Sequence, residues 1–209
     1  MINPRYLQTT VLARLRKRYA ANKPFPHAQL KDFFDVKQLR KVKHALLNER
    51  FVEAEADLFS FQQCDDLKHS KNRTLREFRS FLRSPRFLSL LSYITGENLS
   101  ATIDISGFIY DDTDHLLPHD DKLEGRKLAF VLNLSTMTAK DGGQLDLFKG
   151  NNVAKSYLPA FNSLVVFTVK PGTTMHQVRE VLTDEKRITL AGWIHGNERS
   201  RVHENRRSE

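Results

Sequence analysis

His119 and Asp121 stand two residues apart in the run Leu117-Pro-His-Asp-Asp-Lys122. His176 follows 57 residues after His119, and Arg187 comes 11 further on. Two imidazoles and one carboxylate can hold iron(II) on one face of its coordination sphere and leave the other face open. An arginine downstream of the second histidine adds a fixed cation for the far carboxylate of an organic acid bound to that metal. Taken alone, a His-x-Asp is usually a solvated loop pair, and a lone histidine is usually structural. The four residues in this order, on a strand-rich segment, point instead to a metal site. Arg187 opens the run Arg187-Ile-Thr-Leu-Ala-Gly-Trp193. Period two puts Thr189 on the same face, where guanidinium and hydroxyl can both donate to one carboxylate. An edge arginine in water is the plainer reading of Arg187. The rest of the strand is apolar on both faces, however, and an inward arginine without an anion is costly.

The elements that must position these residues begin at Ala101. Short runs rich in Val, Leu, Phe and Thr recur over 101–110, 126–134, 144–148, 153–158, 163–170, 175–182 and 187–195. Asp111-Asp112, Asp141-Gly142-Gly143, Lys149-Gly-Asn-Asn152 and Pro171-Gly172 separate them with turn chemistry. Strands at this spacing predict a double-sheet roll rather than alternating β-α units. His119 and Asp121, two apart on a strand or its extended end, should share a face, with Asp120 turned away. His176 falls at the start of a strand that a roll can lay beside the first.

Residues 1–100 read as support. Asn3-Pro4 predicts a helix start, with Leu7, Val11, Leu12, Leu15 and Tyr19 on one stripe until Pro24-Phe-Pro26. A second helix is expected over Asp35–Leu47 with Val36, Leu39, Val42 and Leu46 inward. Val52, Ala54, Ala56 and Leu58 alternate with three acids, the pattern of a strand with one wet face. A helical stretch over Thr74–Ile94 is interrupted at Ser84-Pro85 and closed by Gly96. The tail from Asn197 to Glu209 has Val202 as its only hydrophobic residue and is expected to be disordered.

The bulk numbers suit one soluble domain of 209 residues, with 40% hydrophobic and 28% charged residues. No apolar stretch approaches the roughly 20 residues that span a bilayer, and Met1-Ile-Asn-Pro-Arg5 is not a secretory signal. Cys64 is the only cysteine, which excludes an intrachain disulfide and a thiolate zinc site and fits a cytoplasmic setting. The formal charge of +8 is concentrated: residues 1–50 hold 12 Lys or Arg against Asp32, Asp35 and Glu49. A solvated helix face is the plainer reading, because no aromatic–basic pattern accompanies the charges. Contact with an acidic partner such as RNA or a ribosome is the other.

The site residues carry a family resemblance. The chain resembles the iron(II)- and 2-oxoglutarate-dependent oxygenases of the prolyl hydroxylase type. His119-x-Asp121, His176 and Arg187-x-Thr189 match that family's metal triad and its Arg-x-Ser/Thr cofactor clamp. The runs 119–130, 142–148, 176–182 and 192–196 are similar to the catalytic half of ribosomal-protein prolyl-3-hydroxylases, closely over 101–196 and more loosely over 24–100. The resemblance implies an α+β fold: a double-stranded β-helix (jelly-roll) over 101–196, an N-terminal helical annex over 1–100 packed on it, and the tail 197–209. It implies Fe(II), 2-oxoglutarate and O2, with ascorbate as reductant, and hydroxylation of a prolyl residue in a protein substrate with release of succinate. It makes His119, Asp121 and His176 catalytic metal ligands and Arg187 and Thr189 cofactor-binding, with Tyr110 and Asn133 as supporting polar contacts. Two features depart from the pattern. That eukaryotic branch carries a second, non-catalytic roll that these residues do not contain, and Asn133 stands where such enzymes place a tyrosine. A small-molecule hydroxylase on the same scaffold and a non-catalytic binding roll are the alternatives. Trp193 occupies the position of the second arginine carried by nucleic-acid-dealkylating relatives, which argues against that branch. His115 and His195 read as structural, and Trp193 as packing or pocket lining.

Overall fold

The computed structural model describes residues 1–197, so all of the expected disordered tail except Asn197 lies outside the described residues. Four helices precede and flank the first strands: α1 (Thr9–Ala21), α2 (Val36–Leu46), α3 (Arg73–Leu82) and α4 (Pro85–Thr95). Eleven strands complete the described residues. They are β1 (His27–Lys31), β2 (Phe51–Ala56), β3 (Phe59–Cys64), β4 (Leu99–Tyr110), β5 (His115–His119), β6 (Arg126–Asn133), β7 (Leu145–Lys149), β8 (Asn152–Tyr157), β9 (Ser163–Thr168), β10 (His176–Val178) and β11 (Arg187–Gly196). They form one continuous antiparallel path, β1-β9-β6-β11-β4-β3-β5-β10-β7-β8, with β2 paired to β3. The path curls into two facing walls, β1-β9-β6-β11-β4 and β5-β10-β7-β8, bridged by β3. This is the double-stranded β-helix.

Local chemistry explains most boundaries. Asp35, Asn72 and Ser84 cap α2, α3 and α4 by accepting from backbone N–H groups of the first turn, each cap worth about 1 kcal/mol. Pro85 opens α4, where its missing N–H costs nothing. Gly96 closes it with φ +79°, a left-handed conformation that glycine adopts without a Cβ clash. The first helix differs from the expected one. Pro4–Leu7 forms only a 3₁₀ turn, Gln8 is extended, and α1 starts at Thr9. The turn is docked on the end of β1: the Asn3 N–H donates to the Phe33 carbonyl (2.9 Å) and the Tyr6 hydroxyl to the Lys31 carbonyl (2.6 Å). Those bonds fix a direction that α1 cannot continue, and they leave Leu7 exposed rather than on the stripe.

Two further expectations are corrected. Val36, at the start of α2, faces water, and Ala45 takes the inward place beside Leu39, Val42 and Leu46. The hairpin β2–β3 replaces the single strand. Because β2 lies on a free edge, its apolar face is not covered: Val52 is 54% and Leu58 55% exposed.

The wall containing β4, β6, β9 and β11 has two faces. Ile103, Leu128, Leu164 and Leu190 point outward into a core shared with Leu39, Phe78, Leu91 and the other inward residues of the helices. Tyr110, Ala129, Val165 and Phe167 point inward, toward Leu145 and Val178 of the second wall. The helices therefore stiffen the sheet from behind and leave its concave side to line a cavity. No helix among the described residues is long and apolar enough to cross a membrane.

Candidate active site

His119 is the last residue of β5 and His176 the first of β10, directly opposite each other in antiparallel register. Their ring centroids are 4.1 Å apart. Each Nδ1 lies 2.9 Å from a backbone carbonyl, Leu117 for His119 and Thr174 for His176. A carbonyl only accepts, so each Nδ1 carries the proton and each Nε2 keeps its lone pair for a ligand.

Asp121 meets the two rings by a route other than strand alternation. The chain leaves β5 after His119, and Asp121 has φ +57°, a left-handed conformation that Asp tolerates better than most residues. Asp120 secures the turn: its carboxylate accepts from the Gly172 N–H (2.8 Å) and the Lys122 N–H (3.1 Å), tying it to the 170–174 turn. Asp121 Oδ1 then lies 3.4 Å from His119 Nε2, and Oδ2 3.2 Å from His176 Nε2. One ligand atom from each of the three residues falls within 4.8 Å of the others. Donors sharing a face of an octahedral ion with bonds of about 2.1 Å are about 3 Å apart, so the set fits a metal. Burial alone would raise the Asp121 carboxyl, but hydrogen bonding and charge from the two imidazoles outweigh it and hold the group far below the usual carboxylate range. For His119, burial works toward neutrality, and the Asp121 carboxylate overcomes it to raise the pKa.

Arg187, the first residue of β11, is 2% exposed and pairs across to Tyr110 on β4. Its guanidinium carbon lies 4.9 Å from the Tyr110 ring centroid. Burial lowers the Arg187 pKa and pushes the Tyr110 phenol up to about 12. Arg187 Nε and Thr189 Oγ1 are both buried with no hydrogen-bond partner, and among the described residues Arg187 makes no ion pair. A buried cation beside an orphaned hydroxyl is expensive unless something anionic joins them. The pair thus fits the carboxylate of a small acid. Gly143, at φ +68°, gives Arg187 its room, since a Cβ there would come within 3.2 Å of Arg187 Cδ.

Triad and clamp open on one cavity of about 460 Å3, lined also by Phe59, Phe61, Phe108 and Phe167, a size suited to a small organic ligand plus part of a larger substrate. Trp193 lines it too, so its place on the Arg187 face leads to the cavity. Tyr110 is in the lining; Asn133 is not. The Asn133 amide donates to Ser163 Oγ (2.9 Å) on β9, so the structure keeps it one strand pair from Thr189 but turned to its neighbour. His115 is half-buried with its Nδ1 3.1 Å from the Thr113 carbonyl, and His195 Nε2 is 2.8 Å from Asp104 Oδ2. Arg126 was not singled out in the sequence. Its guanidinium carbon lies 3.3 Å from the Trp193 ring centroid at the cavity wall, and Arg126 Nε and Trp193 Nε1 are both unpartnered. No spacing signal marks it, because a register shift at Ile194/His195 breaks the alternation that joins the two strands.

Fold and site together give a double-stranded β-helix that carries a candidate metal triad and, beside it, a buried Arg–Thr pair suited to a carboxylate. Residues 105–195 match the 2OG-Fe(II) oxygenase superfamily. Among curated relatives, it is 42% identical over 182 residues to the prolyl 3-hydroxylase OGFOD1 of Xenopus laevis, covering 83% of this chain and 35% of that protein. It is 34% identical over 199 residues to the prolyl 3,4-dihydroxylase OGFOD1 of Ostreococcus tauri, covering 84% and 39%. The chain thus spans little more than a third of the length of these relatives. In fold it is similar to a prolyl-4-hydroxylase of Pseudomonas putida, with TM-score 0.73, 19% identity and coverage of 89% and 99%. It is also similar to a prolyl hydroxylase of Trichoplax adhaerens in complex with a hypoxia inducible factor peptide, with TM-score 0.69, 15% identity and coverage of 90% and 93%.

Proposed function

We propose that this chain hydroxylates a prolyl residue in a protein substrate, coupled to conversion of 2-oxoglutarate to succinate. The observation that carries the reading is the unpartnered Arg187–Thr189 pair facing the His119–Asp121–His176 triad across one cavity. The similarity to curated prolyl 3-hydroxylases supports the choice of a prolyl substrate. When bound, iron(II) and 2-oxoglutarate supply the activation of O2 that ends in succinate, carbon dioxide and a hydroxylated C–H bond.

The chain's own residues bind and orient. His119 and His176 offer Nε2 to the iron because their Nδ1 protons are held by backbone carbonyls. Asp121 stays ionised and offers an oxygen between them. Arg187 and Thr189 hold the distal carboxylate of the cosubstrate, and Tyr110 packs against the guanidinium and keeps water from it. The phenylalanines around the cavity exclude bulk solvent, which strengthens the Arg187–carboxylate pair. Arg126 Nε and Trp193 Nε1 are free donors suited to a carbonyl of the substrate backbone. Asn133 contributes through Ser163, shaping β6 against β9, rather than by touching the cosubstrate. The support region 1–100 and the catalytic roll 101–196 work as one domain, with β1 and β3 of the first entering the sheet and Phe59 and Phe61 lining the cavity. The basic N-terminal region is suited to an acidic partner such as a ribosome or RNA, and a lone buried Cys64 suits a reducing cytoplasm.

The test is mass spectrometry of proline-containing peptides, including ribosomal-protein segments, incubated with protein, iron(II), 2-oxoglutarate and ascorbate. One oxygen added to a proline, with matching succinate, is the expected result. Peptide-independent turnover stimulated equally by free proline would move the substrate class to small molecules.

A further inference from the structure

The four helices lie side by side in the order α1-α4-α3-α2. They bury Tyr19, Leu39, Phe78 and Leu91 toward the sheet, so their outer faces form one surface on the side opposite the cavity. Four Lys or Arg lie in α1, four in α2, three in α3 and one in α4, against a single acid, Glu77. Glu77 is taken by Arg73 at 2.7 Å, and Arg79 turns inward to Asp66 at 3.6 Å, which leaves ten of the twelve helix cations. The remainder of the chain holds 24 acids and 21 bases, so positive charge is segregated onto this layer.

A merely solvated surface mixes signs and gains from opposite charges four residues apart. Here Arg14 and Arg18, and again Lys37 and Lys41, place like charges at that spacing, each pair costing a few tenths of a kcal/mol. All four are exposed and without an ion pair among the described residues. Arg40 and Lys41 also flank a groove between α2 and the start of α3. No ion pair among the described residues offsets this crowding; a polyanion would.

We propose that the helical layer binds the sugar–phosphate backbone of a base-paired nucleic acid. Four helices packed about 8–10 Å apart span about 30 Å, enough to meet about five phosphates along one side of a duplex. Membrane insertion needs outward apolar residues, and these helices turn theirs to the sheet. Unpaired strands need aromatic platforms; the one exposed aromatic on these helices, Tyr93, lies under Arg16 at 5.3 Å. The surface is separated from the cavity by the sheet, so a bound duplex leaves the cavity open to a protein substrate. The proposal rests on charge placement alone and does not depend on what the cavity oxidises.

The test is fluorescence anisotropy of the full chain with a 20-base-pair RNA duplex and its DNA counterpart across about 50–200 mM salt. For about five phosphate contacts, log affinity should fall against log salt with a slope of about −4 to −5. The triple variants Arg14→Gln/Lys17→Gln/Arg18→Gln and Lys37→Gln/Arg40→Gln/Lys41→Gln should each weaken binding at least tenfold and reduce that slope by about two to three. Thermal midpoint and 2-oxoglutarate turnover should be unimpaired in both. The proposal is overturned if no duplex binds at the lowest salt, or if both variants bind like the parent. It is overturned equally if polyglutamate, anionic vesicles or a single strand bind as tightly as the duplex at the same salt.

Discussion

Replacing Arg187 by Met should raise the stability of the metal- and cosubstrate-free protein while abolishing its response to 2-oxoglutarate. The guanidinium is 2% exposed, has no ion pair among the described residues, and leaves Nε unpartnered, so in the empty protein it is a desolvated charge. Met is unbranched, reaches nearly as far past Gly143, and carries no charge. Exchanging buried charge for apolar volume is often stabilising by about 1–4 kcal/mol, which for a chain of this size is a rise of about 2–4 °C per kcal/mol. With iron(II) and 2-oxoglutarate at about 100 times its dissociation constant, the parent gains about 2.7 kcal/mol. Loss of one partner from a desolvated charge pair costs about 3–5 kcal/mol, a weakening of at least a hundredfold, so the variant should show no shift at the same concentration. Anaerobic thermal unfolding with and without cosubstrate measures both effects. If Arg187→Met lowered the midpoint of the empty protein and kept the parent's ligand shift, Arg187 would be a structural cation and the clamp would be wrong.

Three other outcomes follow from particular contacts. Gly192→Ala should destabilise by about 1–3 kcal/mol or more, because its Cβ would lie 1.9 Å from the Asp104 carbonyl oxygen, a backbone atom with no room to give; denaturant titration checks this. Asp146→Ala should cost about 3 kcal/mol, since this fully buried carboxylate accepts from Arg179 Nε (2.5 Å), Gln177 Nε2 (3.0 Å) and Ser156 Oγ (2.5 Å). It should also weaken iron(II) binding by loosening β10 beside His176, measurable by titration of the metal. For pH, the raised His119 pKa means its contribution to metal-free stability is complete below about pH 6.5 and fades as pH rises through the raised value. The depressed Asp121 pKa contributes above about pH 4 and is lost only in stronger acid. The metal-free midpoint should therefore be higher at about pH 6 than at pH 8, and His119→Asn should flatten that slope; a slope unchanged by the substitution would contradict it.

The grouping of the candidate site residues is more legible in the sequence than its setting. His119, His176, Arg187 and Thr189 could be read from spacing because strand register and period two place them as a roll requires. Asp121 was identified by residue type, yet its position comes from a left-handed turn that alternation does not describe. The helix boundaries at Asp35, Ser84-Pro85 and Gly96 are readable because the signals that set them are local. The break at Gln8 was not, since it follows from Tyr6 and Asn3 docking on distant backbone. Val52 and Leu58 carry the pattern of a buried face, but strand order leaves β2 on an edge, and order is a tertiary property. The helical layer likewise needed the packing of α1 to α4 before its charges could be seen as one surface. Arg126 and the β3 aromatics reach the cavity through long-range pairing, for which the local sequence carries no mark.

The most direct measurement is succinate formation from 2-oxoglutarate by the purified chain with iron(II) and ascorbate, beside His119→Ala, His176→Ala and Arg187→Met. Turnover by the parent that disappears in both histidine variants, and in Arg187→Met returns only at greatly raised 2-oxoglutarate, is the predicted result. Turnover that survives either histidine substitution would contradict the assignment of His119, Asp121 and His176 as the metal site.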